Sequence, residues 1–172
     1  NYDVMLNYCD SNISIIENYF KSTNTSNSIL VNACKAPTSS TSTIANNSIA
    51  KGTGTGISLD STTNMNIVFN SANFTTNLST NAAISTNGNS SNLVLLNNNI
   101  VMSGGEVLHI QSASEVSASN YNNLYAKGAE FAYWGGASHT SLSSLVSASG
   151  KDVQSLSIDP LFISSSNLHI IN

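Results

Sequence analysis

The chain of 172 residues contains no arginine. Five lysines against nine acidic residues leave a net charge of −4, so the clustered cations on which phosphate recognition rests are missing and nucleic acid is excluded as a partner. The same shortage removes any polybasic patch for a membrane surface. No apolar run approaches the roughly 20 residues of a membrane span, which argues against direct insertion, and no signal-peptide pattern stands at Asn1. Charged residues of both signs make up only 8%, proline and cysteine occur twice each, and tryptophan once. Low charge together with 40% apolar content also separates the chain from disordered segments, which are charged and poor in β-branched residues.

In their place stand 26 Asn, 32 Ser and 14 Thr. The stretch Ser91–Gln111, SNLVLLNNNIVMSGGEVLHIQ, shows how they are arranged: an alternating apolar strand, an Asn run, a second strand, a Gly104-Gly105 corner and a third alternating segment. The pattern recurs about every 25 residues. Aligning on Asn98 places Asn18, Asn47, Ala72 and Asn122 in one column, with Phe20, Ile49, Phe74, Ile100 and Leu124 two residues on. A second column runs Val4, Ile29, Ile57, Ala83, Leu108 and Ala132, accompanied by Leu6, Val31, Leu59, Ser85, Ile110 and Trp134. Columns that keep step in this way define stacked coils, with apolar positions inward and Asn at the bends placed to hydrogen-bond to their copies above and below. The expected fold is all-β: a right-handed parallel β-helix of about six coils over 1–172, read as one segment of a longer protein.

Between Gly135 and Ser155 the rhythm breaks. Leu142, Leu145 and Val146 fall at helical spacing, with Thr140 or Ser141 as N-cap and Gly150 as stop, which predicts a short helical excursion near 138–150. After it, SLSIDPLFI and the repeated LHI at Leu168–Ile170 read as a sixth coil, bent where Pro160 cannot donate to a ladder.

These repeats resemble the right-handed parallel β-helix proteins of the pectate-lyase-like fold. The closing pattern Gly150-Lys151-Asp152, Ser157-Ile158-Asp159-Pro160-Leu161-Phe162-Ile163 and Leu168-His169 is similar to the late coils of large secreted surface proteins of Bacteroidetes. That resemblance implies export by type IX secretion and a cell-surface location. This chain departs from the fold's enzymes in lacking arginine and any Asp cluster, so the expected function is structural or adhesive. A polysaccharide lyase or hydrolase, or a carbohydrate-binding module, is the alternative.

Few residues carry chemistry. Glu106 and Glu130 each stand two places before the same inward column, so they should face each other on adjacent rungs, as an acid/base pair in the enzymatic reading or a solvated corner otherwise. Two carboxylates supply too few oxygens for calcium, and His109, His139 and His169 are not spaced as a metal triad, so no metal or cofactor is expected. Tyr125 and Tyr133 are the binding candidates in an aromatic coil five. The outward column Met5, Leu30, Ser58, Ile84, His109, Tyr133 is apolar enough to serve as a contact stripe for polysaccharide or another surface protein. Asp60-Ser61-Thr62 resembles the Bacteroidetes O-glycosylation signal, at Ser61. Cys9 and Cys34 occupy one column on neighbouring rungs, close enough for a disulfide or a stacked thiol pair, with the bond favoured in an exported protein.

Overall fold

A computed structural model describes residues 2–23, 26–87 and 89–170. After an initial strand β1 (Tyr2–Asn7), the chain winds through five rungs of three strands each. These are β2 (Ser14–Ile16), β3 (Tyr19–Ser22) and β4 (Asn27–Asn32); β5 (Ser42–Ala45), β6 (Ser48–Lys51) and β7 (Thr55–Asp60); β8 (Thr63–Val68), β9 (Ser71–Phe74) and β10 (Ala82–Asn87); β11 (Ser91–Leu96), β12 (Asn99–Met102) and β13 (Glu106–Ile110); and β14 (Val116–Asn120), β15 (Asn123–Ala126) and β16 (Ala132–Trp134). Stacking gives sheet A, β1-β4-β7-β10-β13-β16; sheet B, β2-β5-β8-β11-β14; and sheet C, β3-β6-β9-β12-β15, all paired in parallel. The chain is a parallel β-solenoid of about five turns.

The inward columns carry the core. Ile29, Ile57, Ile84 and Leu108 are in register through sheet A, and Ile15, Ile44, Ile67 and Leu95 through sheet B, all buried. At the corner entering sheet A the alternation is broken, and two consecutive residues point inward: Ser28-Ile29, Gly56-Ile57, Ala83-Ile84, Val107-Leu108 and Phe131-Ala132 are all buried. This doubling corrects the expected phase of coil three. Ile84, not Ala83, aligns with Ile57 and Leu108, so Ile84 faces the core and Ser85 takes its place in the outward column. The outer stripe is then Met5, Leu30, Ser58, Ser85, His109, Tyr133, apolar only at its first two members.

The bend between sheets B and C is built the same way in every rung. A residue in the left-handed region (Glu17, Asn46, Phe69, Asn97 or Tyr121) turns the chain, and an Asn follows it. The Asn column is Asn18, Asn47, Asn70, Asn98 and Asn122, so Asn70 belongs where Ala72 was expected, and Ala72 rather than Phe74 aligns with Ile49 and Ile100. From Asn47 onward each Oδ1 accepts two bonds from the preceding rung, one from the Asn backbone N–H and one from its Nδ2; at Asn98 both measure 3.1 Å. The remaining Nδ2 proton goes to a sheet B carbonyl, as from Asn47 to Ile15, Asn70 to Ile44 and Asn98 to Ile67, each at 2.9 Å. A buried primary amide with all its donors placed contributes where an unpaired one would cost.

The C-terminal end is closed. A short strand β17 (Ala137–His139) pairs antiparallel with β16 and ends sheet A, and helix α1 (Leu142–Ser149) lays its buried Leu145 over the core. Ser141 caps the helix, its hydroxyl accepting Ser144 N–H at 3.2 Å, and Gly150 ends it in the left-handed region, so the expected excursion is present with its expected caps. Asp152 and Ser155 then complete the Asn column: Asn122 Nδ2 donates to Asp152 Oδ1 and its backbone N–H to Ser155 Oγ, both at 2.9 Å.

No sixth coil forms. Residues 156–170 run back across the outer face of sheet C, where Asn123 exchanges bonds with the Ile158 backbone, Asn73 donates to Ser165 O and the Tyr19 hydroxyl to Ser166 O. Leu168–Ile170 folds back on Phe162 and Ile163 through an isolated antiparallel bridge, Ile163 N–H donating to His169 O at 2.9 Å. The cause is the cap: β17, α1 and Asp152 occupy the last rung of sheets A and B, so of SLSIDPLFI only Leu156 pairs in parallel, as an isolated bridge to Asn123 at the edge of sheet C, and Pro160 interrupts any continuation.

Candidate functional site

The outer face of sheet A bears a polar groove of about 430 Å³. Its floor is the outward column Ser58, Ser85 and His109, with the two serine hydroxyls 3.4 Å apart. One wall is the column Thr55, Ala82, Glu106 and Glu130, which the register places on successive rungs. The loop between β9 and β10 rises beside it and contributes Thr80 and Asn81. Asn81 pins this loop: its Oδ1 accepts Gly54 N–H at 2.8 Å and its carbonyl accepts Glu106 N–H at 2.9 Å. The loop packs so closely on the next corner that a side chain at Gly105, with φ +80, would collide with Asn81 O.

Glu106 and His109 meet because of the doubled inward corner. Three residues apart in a regular strand they would lie on opposite faces, but Val107 and Leu108 both turn inward, so both flanking side chains emerge on the outer face. His109 Nδ1 lies 2.5 Å from Glu106 Oε2. The imidazole stacks on Tyr133, the ring centroids 4.8 Å apart and the planes 12° from parallel. Tyr133 therefore has one ring face covered by His109, and what the groove meets first is the Glu106–His109 pair. Glu130 is exposed at the rim.

The other candidates lie elsewhere. Tyr125 projects from sheet C, with Lys127 Nζ 5.8 Å over its ring, and shares no surface with Tyr133. His139 is buried under the cap, and His169 is exposed on the returning tail. Among the described residues no group of three or more His, Cys, Asp or Glu could hold a metal ion, and no helix is long and apolar enough to cross a membrane. Ser61 sits half-buried at a left-handed corner, its hydroxyl donating to Asp60 Oδ1 at 3.0 Å, while Thr62 beside it is fully buried.

Cys9 and Cys34 stack on adjacent rungs as their spacing implied, and both are free thiols here rather than a disulfide. Cys34 Sγ accepts Cys9 N–H at 3.2 Å, the place that Ser90 Oγ takes toward Thr62 N–H further along the same corner. Burial pushes the Cys34 thiol above its usual value.

Two buried carboxylates and one buried ammonium escaped the sequence reading. Glu115, in a 3₁₀ turn at Ala113–Glu115, reaches into the core to accept the Thr86 hydroxyl at 2.5 Å and Ser112 N–H at 3.1 Å. Thr86 holds the inward position that Leu59 fills one rung earlier, and that polar break in an apolar column was the available signal. Asp152 was read only as part of a motif. Lys51 occupies the inward column of Phe74 and Met102, and its Nζ has no partner among the described residues.

Compared with models of known families, with curated proteins and with solved structures, the chain matches none. Its class is accordingly given by its architecture: a parallel β-solenoid with a buried Asn ladder and one polar groove on its sheet A face.

Proposed function

We propose that the chain is a non-catalytic structural and adhesive shaft of a secreted cell-surface protein, its side faces available to polysaccharide or to another surface protein. The observation that carries this reading is the Asn ladder: five amides, the inner four buried, bonded rung to rung and closed by Asp152 and Ser155. The specifically placed polar groups of this molecule are spent along its axis, as suits a rigid spacer, rather than converging on a reacting atom. The secreted, surface-anchored setting rests on the resemblance of the closing Asp-Pro-Leu-Phe pattern.

A second reading, a polysaccharide lyase or hydrolase, draws support from Glu106 and Glu130 sharing one groove. No lysine lines that groove to serve a lyase as base, so any chemistry would fall to the two carboxylates and His109. Incubating the purified segment with acidic and neutral polysaccharides, with and without Ca²⁺, separates the two. The shaft reading expects no cleavage; cleavage that vanishes in a Glu106→Gln, Glu130→Gln double variant establishes the enzyme instead.

A further inference from the structure

We propose that the sheet A groove is a binding site for an amino-sugar oligosaccharide laid along the solenoid axis, its ammonium groups read by Glu106 and Glu130. This assigns a ligand class beyond the shaft reading and does not depend on it, since a catalytic or a passive groove would select the same chemistry.

Three features of the groove lead to this ligand. The first is spacing. Thr55, Ala82, Glu106 and Glu130 stand on four successive rungs, as do Ser58, Ser85, His109 and Tyr133. Of these all but Tyr133 line the groove, which thus offers two parallel rows of side chains repeating at about 4.8 Å, one over about 14 Å and the other over about 10 Å. A linear hexose chain repeats at nearly the same interval, so successive sugars can meet equivalent partners on successive rungs.

The second is the hydrogen-bonding inventory. Ser58, Ser85, Thr55 and Thr80 supply hydroxyls and Asn81 an amide, groups that donate and accept alike and suit the hydroxyls of a sugar. The third is charge. Both ionisable wall residues are carboxylates, the one other ionisable group is His109 on the floor, bonded to Glu106, and neither Lys nor Arg lines the groove. Glu106 commits Oε2 to His109, and Oε1 carries no hydrogen bond from another described residue, while Glu130 stands free at the rim on the next rung. Two carboxylates one rung apart repel a uronic acid and hold a protonated amine. A groove of hydroxyls alone would take neutral glycans indifferently. The acidic wall makes the distinction, and it selects against the polyuronates that the resemblance of fold would suggest.

The test is calorimetric titration of the segment with three tetrasaccharides: fully deacetylated glucosamine, N-acetylglucosamine and galacturonic acid. The expected result is saturable one-to-one binding of the glucosamine oligomer, about tenfold or more weaker binding of its acetylated form, and none of the uronate. Glu130→Gln, a substitution at an exposed position, should weaken the glucosamine oligomer about tenfold, and Glu106→Gln should do the same. Glu17→Gln removes one negative charge from a different face and should leave the affinity unchanged. Equal binding of the acetylated and deacetylated oligomers, absence of saturable binding, or an equal loss in Glu17→Gln, which would mean general attraction to an acidic protein, overturns the proposal. The cleavage assay is read separately, so the shaft reading and this one fail independently.

Discussion

Replacing Asn98 with alanine removes one rung of the ladder and little else, which makes the cost calculable. The Asn98 side chain accepts from the backbone N–H and the Nδ2 of Asn70, and donates to Ile67 O and Asn122 Oδ1. In the variant the buried Asn70 backbone N–H loses its acceptor and Ile67 O loses a donor, while Asn70 Nδ2 keeps Ile44 O and Val68 O and Asn98's own N–H keeps Asn122 Oδ1. One buried donor stranded at about 1–3 kcal/mol and one carbonyl short of a bond at about 1 kcal/mol, less what an entering water recovers, gives a loss of about 2–4 kcal/mol. For a chain of this size that lowers the melting midpoint by about 10 °C. Asn18→Ala is the internal control. Asn18 has the same residue type and the same bend, but it is exposed and its Oδ1 accepts nothing from a described residue, so its loss should cost less than about 1 kcal/mol. Urea unfolding followed by circular dichroism measures both. If the two variants differ by less than about 0.5 kcal/mol, the ladder is an ornament of composition and its hydrogen bonds do not hold the rungs together.

Lys51→Met should stabilise the protein by about 1–3 kcal/mol at neutral pH, because it removes an unpartnered buried ammonium from a column already containing Met102. Desolvation holds the Lys51 amine below its ordinary value of 10.5, against a smaller opposing pull from Asp3. The unfolded chain therefore binds more protons than the folded one as pH rises toward 10.5; the parent's stability climbs across that interval relative to the variant's, and a parallel pH dependence of the two would refute the assignment. Leu108→Ala should cost about 2–5 kcal/mol by cavity formation, whereas Ser58→Ala on the outer face should be nearly silent; equal effects would mean that the inward column has been assigned to the wrong face.

How far the sequence disclosed this fold follows from which residues are unambiguous. Ile57, Leu59, Leu108 and Ile110 alternate with polar neighbours and lie where the alternation puts them. Ala82-Ala83-Ile84 offers no such contrast, since all three are buried, and the phase there is set by a corner that takes two consecutive residues inward. Asn70 was hidden for a related reason: Asn70 and Asn73 both precede an apolar residue by a short step, and what distinguishes Asn70 is the left-handed Phe69 before it, a conformation that no side-chain pattern announces. The groove was half legible. Its two glutamates follow from the repeat spacing, but the Glu106–His109 contact depends on the same doubled corner. The loop that forms the far wall depends on the Asn81–Gly54 bond, which joins residues 27 apart. The sixth coil failed because LHI repeats as letters while the edge it needs is already occupied.

The hydrogen bonds that join one ladder side chain to the next all point the same way. Asn18 donates to Asn47, Asn47 to Asn70, Asn70 to Asn98, Asn98 to Asn122, and Asn122 to Asp152 and Ser155. The amide dipoles therefore add head to tail along the solenoid axis, at right angles to the strands, much as peptide dipoles add along an α-helix. The Asn122 end is the positive pole, and Asp152 sets a carboxylate against it as an acidic side chain does at a helix N-terminus. The Asn18 end is the negative pole, its carbonyl oxygen accepting no bond from the described residues. A rung stacked at Asn18 would have to bring a donor, and one stacked at Asn122 would have to displace an anion, so the two ends of the ladder are electrically distinct and stacking along it has a direction.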